Sequence, residues 1–123
     1  MTNHFNTAAA VTAILLLFGN PSAFAHAQLK RATPEVGGII STAPSEVVVN
    51  FSEPLEAAFS SIVVRDAVGK RVDKADMHID PADRMTMHVS LEPLARGIYI
   101  VVWRAQTADT HRTEGAFIFR VGE

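Results

Sequence analysis

Residues 98–106 (IYIVVWRAQ) decide the fold. Side chains of an extended chain alternate between its two faces, so Tyr99, Val101 and Trp103 share one face. The same two-residue period returns along the chain. In 46–52 (EVVVNFS) it aligns Val47, Val49 and Phe51, and in 116–121 (AFIFRV) it aligns Phe117, Phe119 and Val121. In 85–91 (MTMHVSL) it sets Met85, Met87, Val89 and Leu91 against Thr86, His88 and Ser90. The run Ser61-Ile62-Val63-Val64 reads as a further strand. Turn residues punctuate these segments at 33–38, 43–45, 66–70, 80–83 and 92–97, where Pro, Gly and Asp gather. No helical periodicity, repeat or linker interrupts the pattern. It predicts one all-β sandwich or barrel.

Composition agrees with a single domain. The chain has 123 residues, 48% of them hydrophobic and 20% charged, with 11 Lys+Arg against 13 Asp+Glu. Intrinsic disorder calls for lower hydrophobicity and a larger charge imbalance. A net charge of −2 also excludes the basic excess of a nucleic-acid binder. The absence of cysteine removes disulfides, thiolate metal sites and thiol catalysis.

The apolar residues are not spread evenly. Residues 8–18 (AAAVTAILLLF) form an uncharged apolar run, followed by Gly19-Asn20-Pro21 and then Ala23-Phe24-Ala25. An apolar run of this length ending in a small-x-small site reads as a secretory signal peptide. It is too short for a transmembrane helix, which needs roughly 20 apolar residues. One feature departs from the pattern, since the leading MTNHFNT has no Lys or Arg. The expectation is removal of residues 1–25, leaving an exported domain of residues 26–123 that begins with His26.

Cleavage there would give His26 a free α-amine beside its imidazole. Together the amine and Nδ1 can close a chelate ring on one metal ion, so processing itself would create a ligand. A second cluster is Thr107-Ala108-Asp109-Thr110-His111. If this stretch is extended, Asp109 and His111 aim a carboxylate and an imidazole at one point. A third candidate is Glu53, where an apolar strand ends at Phe51-Ser52-Glu53-Pro54. Each has a plainer reading, as a frayed terminus, a polar turn and an exposed strand end. Met77-His78 and Met85-Thr86-Met87-His88 supply soft donors suited to Cu(I). Met85 and Met87, however, lie on the apolar face and His88 on the other, which reads as core filling. There is no phosphate-binding Gly loop, nucleophile elbow or His-Glu-x-x-His helix.

Taken together these pieces resemble the CopC family of exported copper-binding proteins. The resemblance runs through His26-x-x-Leu29, Thr33-Pro34 with Gly37, Val49-Asn50-Phe51-Ser52-Glu53, Asp80-Pro81 and Gly97-x-Tyr99-x-Val101-x-Trp103-Arg104-Ala105. It ends with Asp109-Thr110-His111 and Gly115-x-Phe117-x-Phe119. It implies a Greek-key, immunoglobulin-like β-barrel or sandwich of about seven strands that binds Cu(II) in the periplasm. Carried over, His26 gives its amine and Nδ1, His111 an imidazole nitrogen and Asp109 a carboxylate oxygen. Glu53 stands beside them, as a ligand or as a partner of one. Some family members add a Cu(I) site in a Met-rich loop after the strand matching 61–65. Here that stretch is Arg65-Asp66-Ala67-Val68-Gly69-Lys70-Arg71-Val72, without Met or His. The resemblance therefore implies a single Cu(II) site.

Three functions compete. The first is a monomeric copper carrier or buffer without turnover, in copper homeostasis or resistance, handing its ion to a membrane importer. The second is a copper oxidase of polysaccharides built on an N-terminal histidine chelate. Such an enzyme needs room for O₂ and a substrate surface, often with exposed aromatics, whereas Tyr99 and Trp103 fall on the expected buried face. The third is a metal-free immunoglobulin-like interaction module.

Overall fold

The computed structural model describes residues 27–122. The signal segment and His26 lie outside the described residues. Eight strands run β1 (Leu29–Thr33), β2 (Ile39–Ile40), β3 (Glu46–Phe51), β4 (Ser61–Asp66), β5 (His78–Asp80), β6 (Asp83–Ser90), β7 (Gly97–Gln106) and β8 (Arg112–Val121), with a 3₁₀ turn at Ala57–Phe59. They form two four-stranded sheets, ordered β1-β3-β6-β5 and β2-β8-β7-β4. The consecutive strands β3 and β4 lie in different sheets, as do β6 and β7. Each member of one pair lies beside a member of the other, β3 by β6 and β4 by β7. This interlocking makes the fold a Greek-key, immunoglobulin-like sandwich. Eight strands replace the expected seven or so, because β2 and β5 are too short to show a period.

The inner faces are those the alternation predicted. Val47, Val49 and Phe51, Ile62 and Val64, Tyr99, Val101 and Trp103, and Phe117, Phe119 and Val121 are all buried. Burying one such side chain contributes about 1.5–3 kcal/mol, more than the whole ~1 kcal/mol span of strand propensities. The pattern of burial therefore sets the register. Across the sandwich, the rings of Phe51 and Trp103 meet edge to face at 5.0 Å. Tyr99 stacks on Phe119 at 5.4 Å, and its hydroxyl donates to the Ala95 carbonyl at 2.6 Å. That bond back to the preceding corner is the tyrosine corner of such sandwiches.

Met85 corrects the expected core. Met87, Val89 and Leu91 are buried, but Met85 is 37% exposed. The pairing of β3 with β6 ends at Asn50↔Thr86, so Met85 lies one step beyond it, where the core thins. Thr86 is buried on the opposite face, between the Asn50 amide that donates to it at 2.9 Å and the Asp83 carboxylate that accepts from it at 2.8 Å.

Trp103 faces Gly115 across β7 and β8. A Cβ on Gly115 would sit 2.6 Å from Cζ2 of the indole, so the ring rests directly on bare backbone. Gly115→Ala is expected to destabilise the fold by about 1–3 kcal/mol. The melting temperature should fall by about 4–8 °C per kcal/mol. The emission of the chain's one tryptophan should shift as the indole is displaced. Unchanged melting and emission would mean that this contact is slack.

Candidate functional site

At one end of the sandwich β7 turns into β8 through residues 107–111. The Thr107 N–H donates to the His111 carbonyl at 3.0 Å, and the Thr110 N–H donates to the Thr107 carbonyl at 3.0 Å. Asp109 and His111 therefore meet across a tight turn, not along the extended segment expected from their spacing. Thr110 adopts φ +69°, a left-handed conformation unusual for a β-branched residue. Such backbone strain collects at functional positions.

The turn brings two of the expected residues together. His111 Nδ1 lies 2.9 Å from Asp109 Oδ2, while the Thr107 hydroxyl donates to Asp109 Oδ1. The hydroxyl and then the imidazole stabilise the carboxylate, whose pKa falls to about 2. Asp109 thus stays charged and fixes the ring of His111, an arrangement seen around ligating histidines.

Glu53 and Pro54 line one wall of a cleft of about 200 Å³, with Thr107, Ala108 and Asp109 on the other. The two walls are joined by the Leu55↔Thr107 bridge and by the Glu56 N–H donating to the Gln106 carbonyl at 2.8 Å. The described chain begins at the same place. The Ala27 carbonyl accepts from the Thr113 hydroxyl at 2.7 Å, two residues past His111. Gln28 exchanges bonds with Ser52, next to Glu53, through its N–H to the Ser52 hydroxyl and its carbonyl from the Ser52 N–H, both at 2.9 Å. Thr107, Ser52 and Thr113 hold the candidate site together by hydrogen bonds that sequence reasoning did not assign. Hydroxyl residues are common, and nothing in their spacing marks these three.

His78 and His88 lie elsewhere, on the outer face of the β1-β3-β6-β5 sheet. Their rings stack at 5.1 Å, and His88 sits between Asp80 (Nε2···Oδ2 2.9 Å) and Glu46 (Nδ1···Oε2 3.4 Å). Met87 is in the core and Met77 packs against it, so neither methionine joins the histidines. A larger open hollow of about 550 Å³ also lies on this sheet, lined in part by Lys30, Arg31, Asn50 and Asp83, and has no imidazole. Among the described residues, no three His, Asp or Glu side chains converge to hold a metal ion.

A family model for the CopC domain matches residues 29–122. The chain is 32% identical over 111 residues to the copper transport protein CutJ of Bacillus subtilis (strain 168), an alignment covering 89% of this chain. It spans only 20% of the length of CutJ. Among solved structures it is similar to CopC from Methylosinus trichosporium OB3b, with 29% identity, a TM-score of 0.72 and coverage of 78% and 93% of the two chains. It is also similar to PcoC, a methionine-rich copper resistance protein from Escherichia coli, with 33% identity, a TM-score of 0.68 and coverage of 79% and 99%. The fold and its Asp–His turn define the class as a small immunoglobulin-like β-sandwich. Within that class, the chain belongs to the CopC family.

The depressed Asp109 pKa has a testable cause. Its ionised form favours the fold above the ordinary carboxylate pKa of about 3.9, and that contribution is lost as the pH falls toward 2. Thr107→Val should raise the Asp109 midpoint toward the ordinary value in a carboxyl-detected NMR titration. A midpoint left at about 2 would assign the shift to His111 alone.

Proposed function

We propose that this chain is an exported Cu(II) carrier or buffer of copper homeostasis or resistance, with one cupric site and no catalytic turnover. In this reading residues 1–25 are removed, and the mature domain works in the periplasm as a monomer that passes copper to a membrane importer. His26 would hold the ion by its amine and Nδ1, His111 by an imidazole nitrogen and Asp109 by a carboxylate oxygen. Glu53 completes the set, as a ligand or as a partner of one. Nitrogen donors with a carboxylate suit tetragonal Cu(II), which heads the affinity order of divalent first-row ions.

One observation carries this reading. The start of the described chain is fastened at Ala27 and Gln28 to Thr113 and Ser52, beside the turn that pairs Asp109 with His111. The names of the relatives, a copper transport protein and a copper resistance protein, agree with the ion. The absence of Met and His from 65–72 supports a single cupric site. The oxidase reading is weakened by the burial of Tyr99 and Trp103.

The test is Cu(II) titration of protein beginning at His26 against a form with one added residue in front of it. The extension should weaken binding most, because it turns the amine into an amide. Asp109→Ala should weaken it by at least about 10–100-fold, the range for losing a carboxylate that orients a ligating histidine, because a ligand is lost as well, and His111→Ala should also weaken it. Equal affinity of the native and extended forms would reject the chelate, as would mass spectrometry placing the exported start elsewhere than residue 26.

Protons compete for the same nitrogens. The free imidazole and α-amine pKa values are about 6.5 and 7.7–8.0, so affinity should fall steadily between about pH 7.5 and about pH 5. A flat profile over that interval would contradict amine and imidazole ligation.

A further inference from the structure

β7 is apolar on both faces. While Tyr99, Val101 and Trp103 point into the core, Ile98, Ile100 and Val102 point outward and are 36%, 37% and 42% exposed. The neighbouring strands extend this strip. Ile100 pairs with Ile118 and Val102 with Ala116 on β8, Val102 also faces Val63 on β4, and the exposed Ile39 of β2 lies beside Arg120. A sandwich face turned to water normally alternates to polar residues. A contiguous apolar area framed by polar groups marks an interaction surface.

The frame is basic. Arg65, Arg104, Arg112 and Arg120 stand around the strip, with Glu114 and, at the end of β4, Asp66 as the acidic residues on these strands, although the whole chain carries a net charge of −2. Arg104 pairs with Glu114 at 3.2 Å. Among the described residues, Arg65 donates to the Gly69 carbonyl and Arg112 to the Gln106 side-chain oxygen, and no carboxylate forms an ion pair with Arg65, Arg112 or Arg120. The surface thus presents an aliphatic centre with uncompensated guanidinium groups around it.

We propose that the outer face of the β2-β8-β7-β4 sheet docks a partner protein whose contact surface is apolar at its centre and acidic at its rim. A second copy of this chain fits poorly, since a two-fold contact sets the patch against itself and brings arginine against arginine. A lipid surface also fits poorly, because the interfacial Trp and Tyr of membrane-seated proteins are missing here, both being buried in the core. A related sandwich is already joined to further protein, since four-fifths of CutJ lies outside the alignment. The strip ends at Val102 and Ala116, and the Arg104–Glu114 and Gln106–Arg112 pairs separate it from the 107–111 turn. The surface requires no bound copper.

The test places a photo-cross-linking side chain at Ile100 or Ile118, and at Met85 as an exposed control (37%) on the other sheet, in the cells that export the chain. The adduct is identified by mass spectrometry, and the partner is then purified for binding measurements. The expected result is one adduct protein at Ile100 and Ile118 and none at Met85. Its affinity should fall about tenfold or more with Ile100→Asp, and should also fall with Arg120→Glu and with rising salt. Arg120→Glu alters only an exposed side chain and keeps the test informative if Ile100→Asp fails to fold. Adducts to a second copy, to lipid or to nothing would overturn the proposal, as would a purified partner indifferent to both substitutions. Cu(II) titration of the same variants should show unchanged affinity, which separates failure of this surface from failure of the carrier reading.

Discussion

The edge of one ring against the face of another, Phe51 on Trp103, ties the two sheets together where it matters. Phe51 is the last residue of β3, so its position fixes where Ser52 and Glu53 leave the sheet. Trp103 lies on β7, a few residues before the chain enters the 107–111 turn. Their contact, backed by the bare Gly115 beneath the indole, sets the distance between the two walls of the cleft. A core of aliphatic residues alone would bury as much surface without fixing that spacing so firmly. Aromatic pairs add roughly 0.5–1.5 kcal/mol and a preferred geometry beyond the area they bury.

The end of the sandwich uses ordinary local chemistry to assemble an ordered cluster of donors. A hydroxyl holds a carboxylate, the carboxylate orients an imidazole, and the turn that permits this is closed by its own backbone bonds. Two more hydroxyls, on Ser52 and Thr113, fasten the incoming chain beside them. In the proposed carrier this means that most of the ordering entropy is met by folding, before any ion arrives.

Much of the fold was legible because burial acts on alternate residues. Val47, Val49 and Phe51 or Phe117, Phe119 and Val121 could hardly be arranged otherwise in a two-sheet protein. Parity, however, says which way a side chain points and not how far the facing sheet extends, which is why Met85 emerges at the rim. The strands Ile39–Ile40 and His78–Asp80 are held by their neighbours and carry too few residues to announce themselves. At the site, the spacing of Asp109 and His111 indicated their proximity but for the wrong reason, since a turn achieves what a strand was expected to do. The supporting hydroxyls were silent, because a threonine that positions a carboxylate looks like any other threonine. His26, on which the cupric reading leans most, lies outside the described residues.

The long connection from β4 to β5 is secured at its root by a single buried carboxylate. Asp73 accepts from the Val64 N–H at 2.8 Å, from the Ala75 N–H at 2.9 Å and from the Arg71 guanidinium. Burial works against its charge, but the guanidinium and the two N–H groups prevail and hold its pKa below the ordinary value. Beyond that anchor, Val68 and its neighbours at the tip touch little of the core. Because the tip closes on itself, with the Asp66 carboxylate accepting from the Val68 and Lys70 N–H groups, its outward side chains can change without disturbing the sheets.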